Sequence, residues 1–580
     1  LSPQGRSSSG WVVAGVGLPF GALLADFMAV SVALPGLQRA MDATFSQLIW
    51  VLEAYVLSLG TFLLVFGFVL ARLGLARALC AGSLTFAAGA FLAGAAPGLV
   101  VVIIARAVQG AGSALVLSAG PLLLAATFSD TAPRNRATKG APRNWAGKGP
   151  LGTARLRQQA APRGKPRPPV GSHGSGAWPA LSAFYVAVAP LAGGLVTAQL
   201  SWRYLFYIEA AMGVLGPFAL ARTMRPGEVR RAEAGVRPGE VRRAEGEVQQ
   251  AEAGVRPGEV RPVEEADLAL RQAGRPDWVG VSLFAGAAVL AVAGLVRVTY
   301  NLESWPSSGV FACLACAGLL LVAFVAKEVV ATPPALPLAL FARRSFTGAS
   351  AAALGLSVAV IGPFPLLALY MARELGYGET GAGLRLLALS GMALPGAVLV
   401  ALAAKWLGGR GPSARWLLPG GLALVAGGMW LLSREPPANG WGGLWPGLAL
   451  SGAGYEMASP RLASAAAASV PLEEAPLAAR ATSVVRQFGA AIGVALAASV
   501  FAVRLAGSIG QQLGAPARLA GEPPVLAARV LAGDVPQAAR QAGTGVLKAA
   551  FAAGLHEVLA LSALVAAGCA VVALIVGTEN

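Results

Sequence analysis

The chain has 580 residues, 56% of them hydrophobic and 13% charged, with a formal net charge of +17. Soluble domains carry about 25% charged residues; here the charge is clustered and leaves many runs of about 20 apolar residues, the length that crosses a bilayer core. A soluble protein is excluded, as is a β-barrel with its alternating segments of about ten residues, and the cationic excess reads as membrane topology rather than nucleic-acid binding.

The runs predict an all-α polytopic membrane protein with fourteen spans, at 11–36, 48–70, 75–95, 98–125, 177–199, 203–222, 278–298, 308–328, 346–371, 381–404, 414–433, 443–467, 478–504 and 549–576. The first run is too long for a cleavable signal sequence. An even number of spans puts both termini on one side. Lys and Arg gather in cytoplasmic loops, which makes that side the cytoplasm: Arg72 and Arg77, Arg343 and Arg344, then Lys405, Arg410 and Arg415 all fall inside, as does the basic stretch from Arg134 to Arg167. The long 505–548 segment is expected to be an outside loop.

Two segments are too polar to bury a core. Residues 139–176 are rich in Pro, Gly and Arg, and 225–262 repeat Arg-Pro-Gly-Glu-Val-Arg from Arg225, Arg237 and Arg256. The organisation expected is a six-helix bundle over 1–222 carrying the polar insert 139–176, a cytoplasmic linker over 223–277, two additional membrane helices over 278–328, and a second six-helix bundle over 329–580.

Ionisable residues inside spans carry the functional reading. A charge at the bilayer centre costs at least about 2.5–3.5 kcal/mol, so it faces a bundle interior or a water-filled path. Asp26 is the sole ionisable residue of the first run; burial disfavours the charged form of any acid, which makes it the first candidate for proton exchange. Trp50 fits an interfacial belt, and Glu53 beside it reads as interfacial or buried. In span four, Arg106 and Gln109 precede Gly110 and Gly112, small residues that let a neighbouring helix approach; Arg106 is placed to face an acid on another helix. In span five, Pro190, Gly193 and Gly194 permit bending and close packing. Glu209 lies in span six, where a shift of the span would bring it toward the outer interface. Glu456 lies within span twelve after Gly452 and Gly454, and reads either as a second proton or cation site or as the partner of Arg461. Cys313 and Cys316 form a CxxC pattern, but with Cys80 and Cys569 they read as small packing residues. His173 and His556 form no cluster, so no metal site, cofactor or enzymatic centre is expected.

These stretches carry a resemblance. Asp26 through Val32-Ala33-Leu34-Pro35 is similar to the first-span motif of the fourteen-span drug:proton antiporters of the major facilitator superfamily. Arg106 to Ala114 resembles the superfamily's fourth-span motif, and Ala189 to Gly194 its antiporter motif. Ser201-Trp202-Arg203, Pro276-Asp277-Trp278 and Arg486-Gln487-Phe488-Gly489 also resemble this family. The loop after span two, with Gly67, Arg72, Gly74 and Arg77, matches the family's cytoplasmic loop motif, except that Ala71 stands where the family has Asp. The resemblance implies alternating access between two bundles. The proton-coupling candidates are Asp26 and Arg106 from the resemblance and Glu456 from its place within a span, and the candidates for a cavity or gate are Gln109, Gly110, Pro190, Gly193, Gly194 and, again from its place within a span, Glu209. The function expected is proton-coupled export of amphipathic small molecules, drugs or antibiotics, by a monomer in a bacterial cell membrane. The partners are then substrate, protons and lipid, with no nucleic acid. The alternatives are a transporter for a specific metabolite and a non-transporting receptor. Cysteines introduced at positions 150 and 240 should react with an impermeant reagent from the same, cytoplasmic, side; labelling from opposite sides would refute the topology.

Overall fold

The computed structural model describes residues 3–129, 177–223, 277–301, 307–331, 334–392, 395, 414–436, 439–471, 474–520, 523–532 and 544–576. The polar insert 139–176, the repeats at 225–262, His173, Lys405 and Arg410 lie outside the described residues.

The elements are α1 (Pro3–Met41), α2 (Phe45–Leu73), α3 (Leu75–Ala95), α4 (Leu99–Ser129), α5 (Ala177–Gln199), α6 (Trp202–Thr223), α7 (Trp278–Asn301), α8 (Ser308–Val330), α9 (Arg344–Leu356), α10 (Phe364–Leu369), α11 (Gly378–Ser390), α12 (Ala414–Leu432), α13 (Gly440–Ala458), α14 (Leu462–Ala468), α15 (Ala475–Ala520), α16 (Pro523–Ala532) and α17 (Thr544–Val576). Among the described residues, eleven helical stretches are long and apolar enough to cross a membrane. The remaining predicted spans map to α11, described only to Ser390, to the shorter α12, and to α13. The last of these stops before Pro460 and resumes as a single 3-10 turn and α14, because proline cannot donate to the helical ladder.

Local chemistry sets the helix ends. Thr44 and Gln47 form a reciprocal capping box at the start of α2. Gly74, at φ 77°, closes α2 with a bond to the Leu70 carbonyl and opens α3; a side chain would be strained there. One continuous apolar passage runs from Arg344 to Glu374 through two π-helical stretches, Ser357–Ile361 and Tyr370–Glu374.

The first six helices pack on one another: α1 on α4, α5 and α6, α2 on α4, and α3 on α4 and α6. A second group joins α9, α12, α13, α14, α15 and α17. Between the groups runs a seam in which α2 meets α15, α5 meets α11 and α1 meets α10. Backbones touch along it. A Cβ added to Gly194 would collide with the Glu379 carbonyl, and one added to Gly383 with the Pro190 carbonyl. The Ser390 hydroxyl donates to the Ala187 carbonyl at 2.9 Å.

Helix α7 lies against both α2 and α15. The Ser46 and Thr299 hydroxyls share a 2.7 Å bond, and the Ser499 hydroxyl donates to the Leu295 carbonyl at 2.6 Å. Helix α8 rests on α7 and is otherwise exposed, as a lipid-facing helix is. At the end of the seam where α1 terminates, Arg39 pairs with Glu379. Beside it the Gln38 amide donates to the Leu531 carbonyl of α16 at 2.7 Å and accepts from Arg373 at 2.9 Å. The 505–548 segment therefore departs from the loop expected: α15 extends to Ala520, and α16 folds back over α2, α7 and α15. The buried Leu526, Ala527, Val530 and Leu531 give α16 an apolar face to dock.

The backbone contact between α5 and α11 makes a specific demand. Gly383→Ala should destabilise the purified protein by about 1–3 kcal/mol, the usual cost of overpacking, read as a lower thermal midpoint in detergent. Gly318→Ala on α8, where nothing lies within 4 Å of the added carbon, should leave it unchanged.

Candidate functional site: a buried tetrad of Asp26, Arg106, Gln109 and Glu209

Three helices deliver four polar side chains to one point inside the first six-helix group. Asp26 comes from the middle of α1, Arg106 and Gln109 from one face of α4 at i and i+3, and Glu209 from α6. Asp26, Arg106 and Gln109 are wholly buried and Glu209 is 3% exposed. The approach is set by glycine: an added Cβ at Gly110 would strike the Tyr55 carbonyl of α2, and at Gly112 the backbone of Phe86 on α3. Arg203 fixes the start of α6 by donating to the Gly94 and Ala96 carbonyls at 2.7 and 2.8 Å.

The Arg106 guanidinium meets the Asp26 carboxylate as a fork, Nη1 to Oδ1 at 2.5 Å and Nη2 to Oδ2 at 2.7 Å. Its Nη1 also donates to Gln109 Oε1 at 2.7 Å, and its Nε to the Val51 carbonyl of α2 at 3.1 Å. Below it lies the Tyr55 ring, 4.3 Å from the guanidinium carbon. Charge-assisted bidentate pairs of this kind are the strong ones, and a buried pair persists only when further bonds satisfy the rest of each ion. Gln109 continues the chain: its Nε2 donates to Asp26 Oδ1 at 3.1 Å and to Glu209 Oε2 at 2.8 Å. Glu209 Oε1 is buried with no hydrogen-bond partner among the described residues.

The structure thus joins Asp26 and Arg106, expected together as proton-coupling residues, with Gln109 and Glu209, expected to serve a cavity or gate. It also corrects the placement of Glu209 toward an interface. Span six does not shift outward, because Trp202 begins α6, and seven residues at 1.5 Å each put Glu209 about 10 Å into the helix. The Ser201-Trp202-Arg203 motif was the signal that could have shown this. Glu53 is likewise not interfacial. It is 1% exposed, it faces the α15 backbone at Ala495, and neither carboxyl oxygen has a partner among the described residues. Trp50 is half-buried against the core.

Glu456 stands apart on α13, half-buried, and its proposed pairing with Arg461 does not form: the Arg461 guanidinium donates to the Met457 carbonyl at 2.8 Å. Gly193 packs its α-carbon onto the Ala29 backbone of α1, three residues beyond Asp26, while Gly194 and Pro190 meet α11 across the seam. In the loop after α2, Arg72 stacks on the Phe68 ring at 4.3 Å, with Ala71 at the position of the family's acid, and Arg77 is exposed. Cys80, Cys313, Cys316 and Cys569 are free thiols.

A helical membrane protein whose two helix groups meet along a backbone seam, with a buried charge cluster inside one group, is a secondary transporter by architecture. The chain belongs to the Major Facilitator Superfamily, whose model matches residues 18–138 and 171–494. It is similar to the puromycin resistance protein pur8 of Streptomyces alboniger, 28% identical over 483 residues, covering 81% of this chain and 77% of that protein. It is also similar to the multidrug resistance protein Stp of Mycobacterium tuberculosis, 25% identical over 495 residues and covering 85% and 76%. The tetracenomycin C resistance and export protein of Streptomyces glaucescens is 23% identical over 561 residues, with 95% and 88% covered. Among solved structures, a bacterial homologue of the human lysosomal transporter Spinster superposes with a TM-score of 0.57 at 15% identity over 100% of this chain and 98% of that one. This likeness shows the fold.

Arg106 is the one cation of the tetrad, and its fork is spent on Asp26. Arg106→Leu should therefore cost about 3–5 kcal/mol, the usual loss when one partner of a buried pair is removed. The readout is the thermal midpoint of purified protein, and Asp26→Asn added to Arg106→Leu should restore part of it.

Proposed function

We propose that this protein is a proton-coupled exporter of amphipathic small molecules, drugs or antibiotics, that works by alternating access. The observation that carries the reading is the tetrad: a wholly buried Asp26–Arg106 pair that shares an amide with a second acid. Such a cluster is expensive in a membrane, and a fold needing only apolar packing has no use for it. A group that gains and loses a proton as water reaches it alternately from the two sides couples proton flow to the rocking of the helix groups. The relatives named for puromycin, tetracenomycin C and multiple-drug resistance support the substrate class.

In this reading 1–222 and 329–580 form the two rocking halves, with 278–328 as the added pair, in a monomer spanning a bacterial cell membrane. With both termini cytoplasmic, the end of the seam closed by Arg39, Glu379, Gln38 and α16 faces outward, and the arrangement is outside-closed. Pro190, Gly193, Gly194 and Gly110 serve the gate as backbone contacts rather than as ligands, and Glu456 is held as a separate cavity acid.

The test uses everted vesicles, the lipophilic cation ethidium and an imposed interior-acid pH gradient. Asp26→Asn should express and bind ethidium as the native protein does, while gradient-driven uptake falls to the level of empty vesicles. Native uptake by Asp26→Asn would remove Asp26 from the mechanism.

A further inference from the structure

The tetrad contains one cation and two acids. Asp26, Arg106 and Gln109 are wholly buried and Glu209 is 3% exposed. If both acids were ionised, the cluster would hold an uncompensated negative charge in a low-dielectric interior, a costly arrangement. The hydrogen bonds distinguish the two acids. Asp26 accepts two bonds from the guanidinium and a third from Gln109, all of which favour a carboxylate. Glu209 accepts a single bond, from the neutral Gln109 amide on Oε2, and its buried Oε1 has no partner.

We propose that Glu209 carries the exchangeable proton while Asp26 stays ionised as the fixed counter-charge of Arg106. The proton arrives from water on the acidic side, forms the O–H bond on Glu209 as the cluster closes, and returns to water on the other side when the helices part. Nothing else is oxidised, reduced or transferred. Gln109 is a positioning residue: its Oε1 is committed to Arg106, so its Nε2 must donate to both acids and holds Glu209 beside the charge pair without neutralising it.

The groups facing Glu209 are few. Helix α6 packs on α1, α3 and α5. From α1 it faces Asp26 and, through α4, Arg106; Tyr55 of α2 lies against the far face of that guanidinium. Helix α3 carries Arg77 and Cys80 at its first turns, far along the helix, and α5 carries Tyr185, packed at Gly21. Arg106 is thus the sole cation near Glu209 among the described residues. Asp26→Asn should consequently free the guanidinium to hold Glu209 ionised.

The inference rests on the exporter reading only for the direction of proton movement, so its first test involves no transport. The full-length protein in lipid is examined by infrared difference spectroscopy on a pH step, with the side-chain carboxyl carbon of either glutamate or aspartate labelled with 13C. We expect a protonated-carboxyl band that moves with the glutamate label, is untouched by the aspartate label, and loses the share of one carboxyl in Glu209→Gln and again in Asp26→Asn. A band that moves with the aspartate label, or a Glu209→Gln spectrum identical to the native one, overturns the assignment. The aspartate arm needs no variant, so it decides the question even if Glu209→Gln fails to fold. In everted vesicles, gradient-driven ethidium uptake by Glu209→Gln should fall to the level of empty vesicles; uptake still accelerated by the pH gradient overturns the proposal. A native protein that moves no ethidium counts against the exporter reading and leaves the infrared result standing.

Discussion

The pairing of Arg106 with Asp26 is the constraint on which the first helix group depends. A guanidinium can be placed in hydrocarbon only if its donors are spent on acceptors that are themselves fixed. Here they are spent on three helices: the Asp26 carboxylate of α1, the Val51 carbonyl of α2 and Gln109 of α4 itself. That requirement sets how close α4 must come to α2, and Gly110 allows it, while Gly112 separately lets α3 approach α4. The relative depth of α1 and α4 follows, since a fork with two parallel bonds tolerates little sliding.

Against this stands the closure at the end of α1. Arg39 has a side chain 66% exposed, and an ion pair of that kind contributes about 0–1 kcal/mol. Gln38 and Arg373 add ordinary hydrogen bonds to each other and to α16. The molecule therefore pairs a costly, rigid cluster within one helix group with cheap, reversible bonds between groups. The proposed alternating access would need this distribution: the interactions to be broken in each cycle are weak, and those that hold the charge site are not.

Much of this was legible in the sequence, for physical reasons that differ by residue. Asp26 and Arg106 stand out because ionisable residues in long apolar runs are rare and must be satisfied. The helical passages were legible because hydropathy over about 20 residues is a strong signal. The depth of Glu209 and Glu53 was harder to read, because a helix can slide by a turn without changing its composition; only the anchor at Arg203 and the capping box at Thr44 fix the register. Helix α16 escaped notice because ten residues of mixed Ala, Val, Leu and Arg make too short a pattern to separate from a loop. The seam glycines were legible as small residues, but which helix each one meets is decided by tertiary packing alone.

The contact of α5 with α11 has a consequence for how fast the protein can move. Where Gly194 and Gly383 bring backbone against backbone, there are few side-chain rotamers to unlock before the surfaces slip. Interdigitated side chains resist such motion because each must leave one well for another. A smooth bearing of peptide groups offers little internal friction, so in the proposed rocking the drag would come chiefly from the lipid that the two helix groups displace. Turnover would then follow the fluidity of the host membrane more closely than any property of the protein's own core.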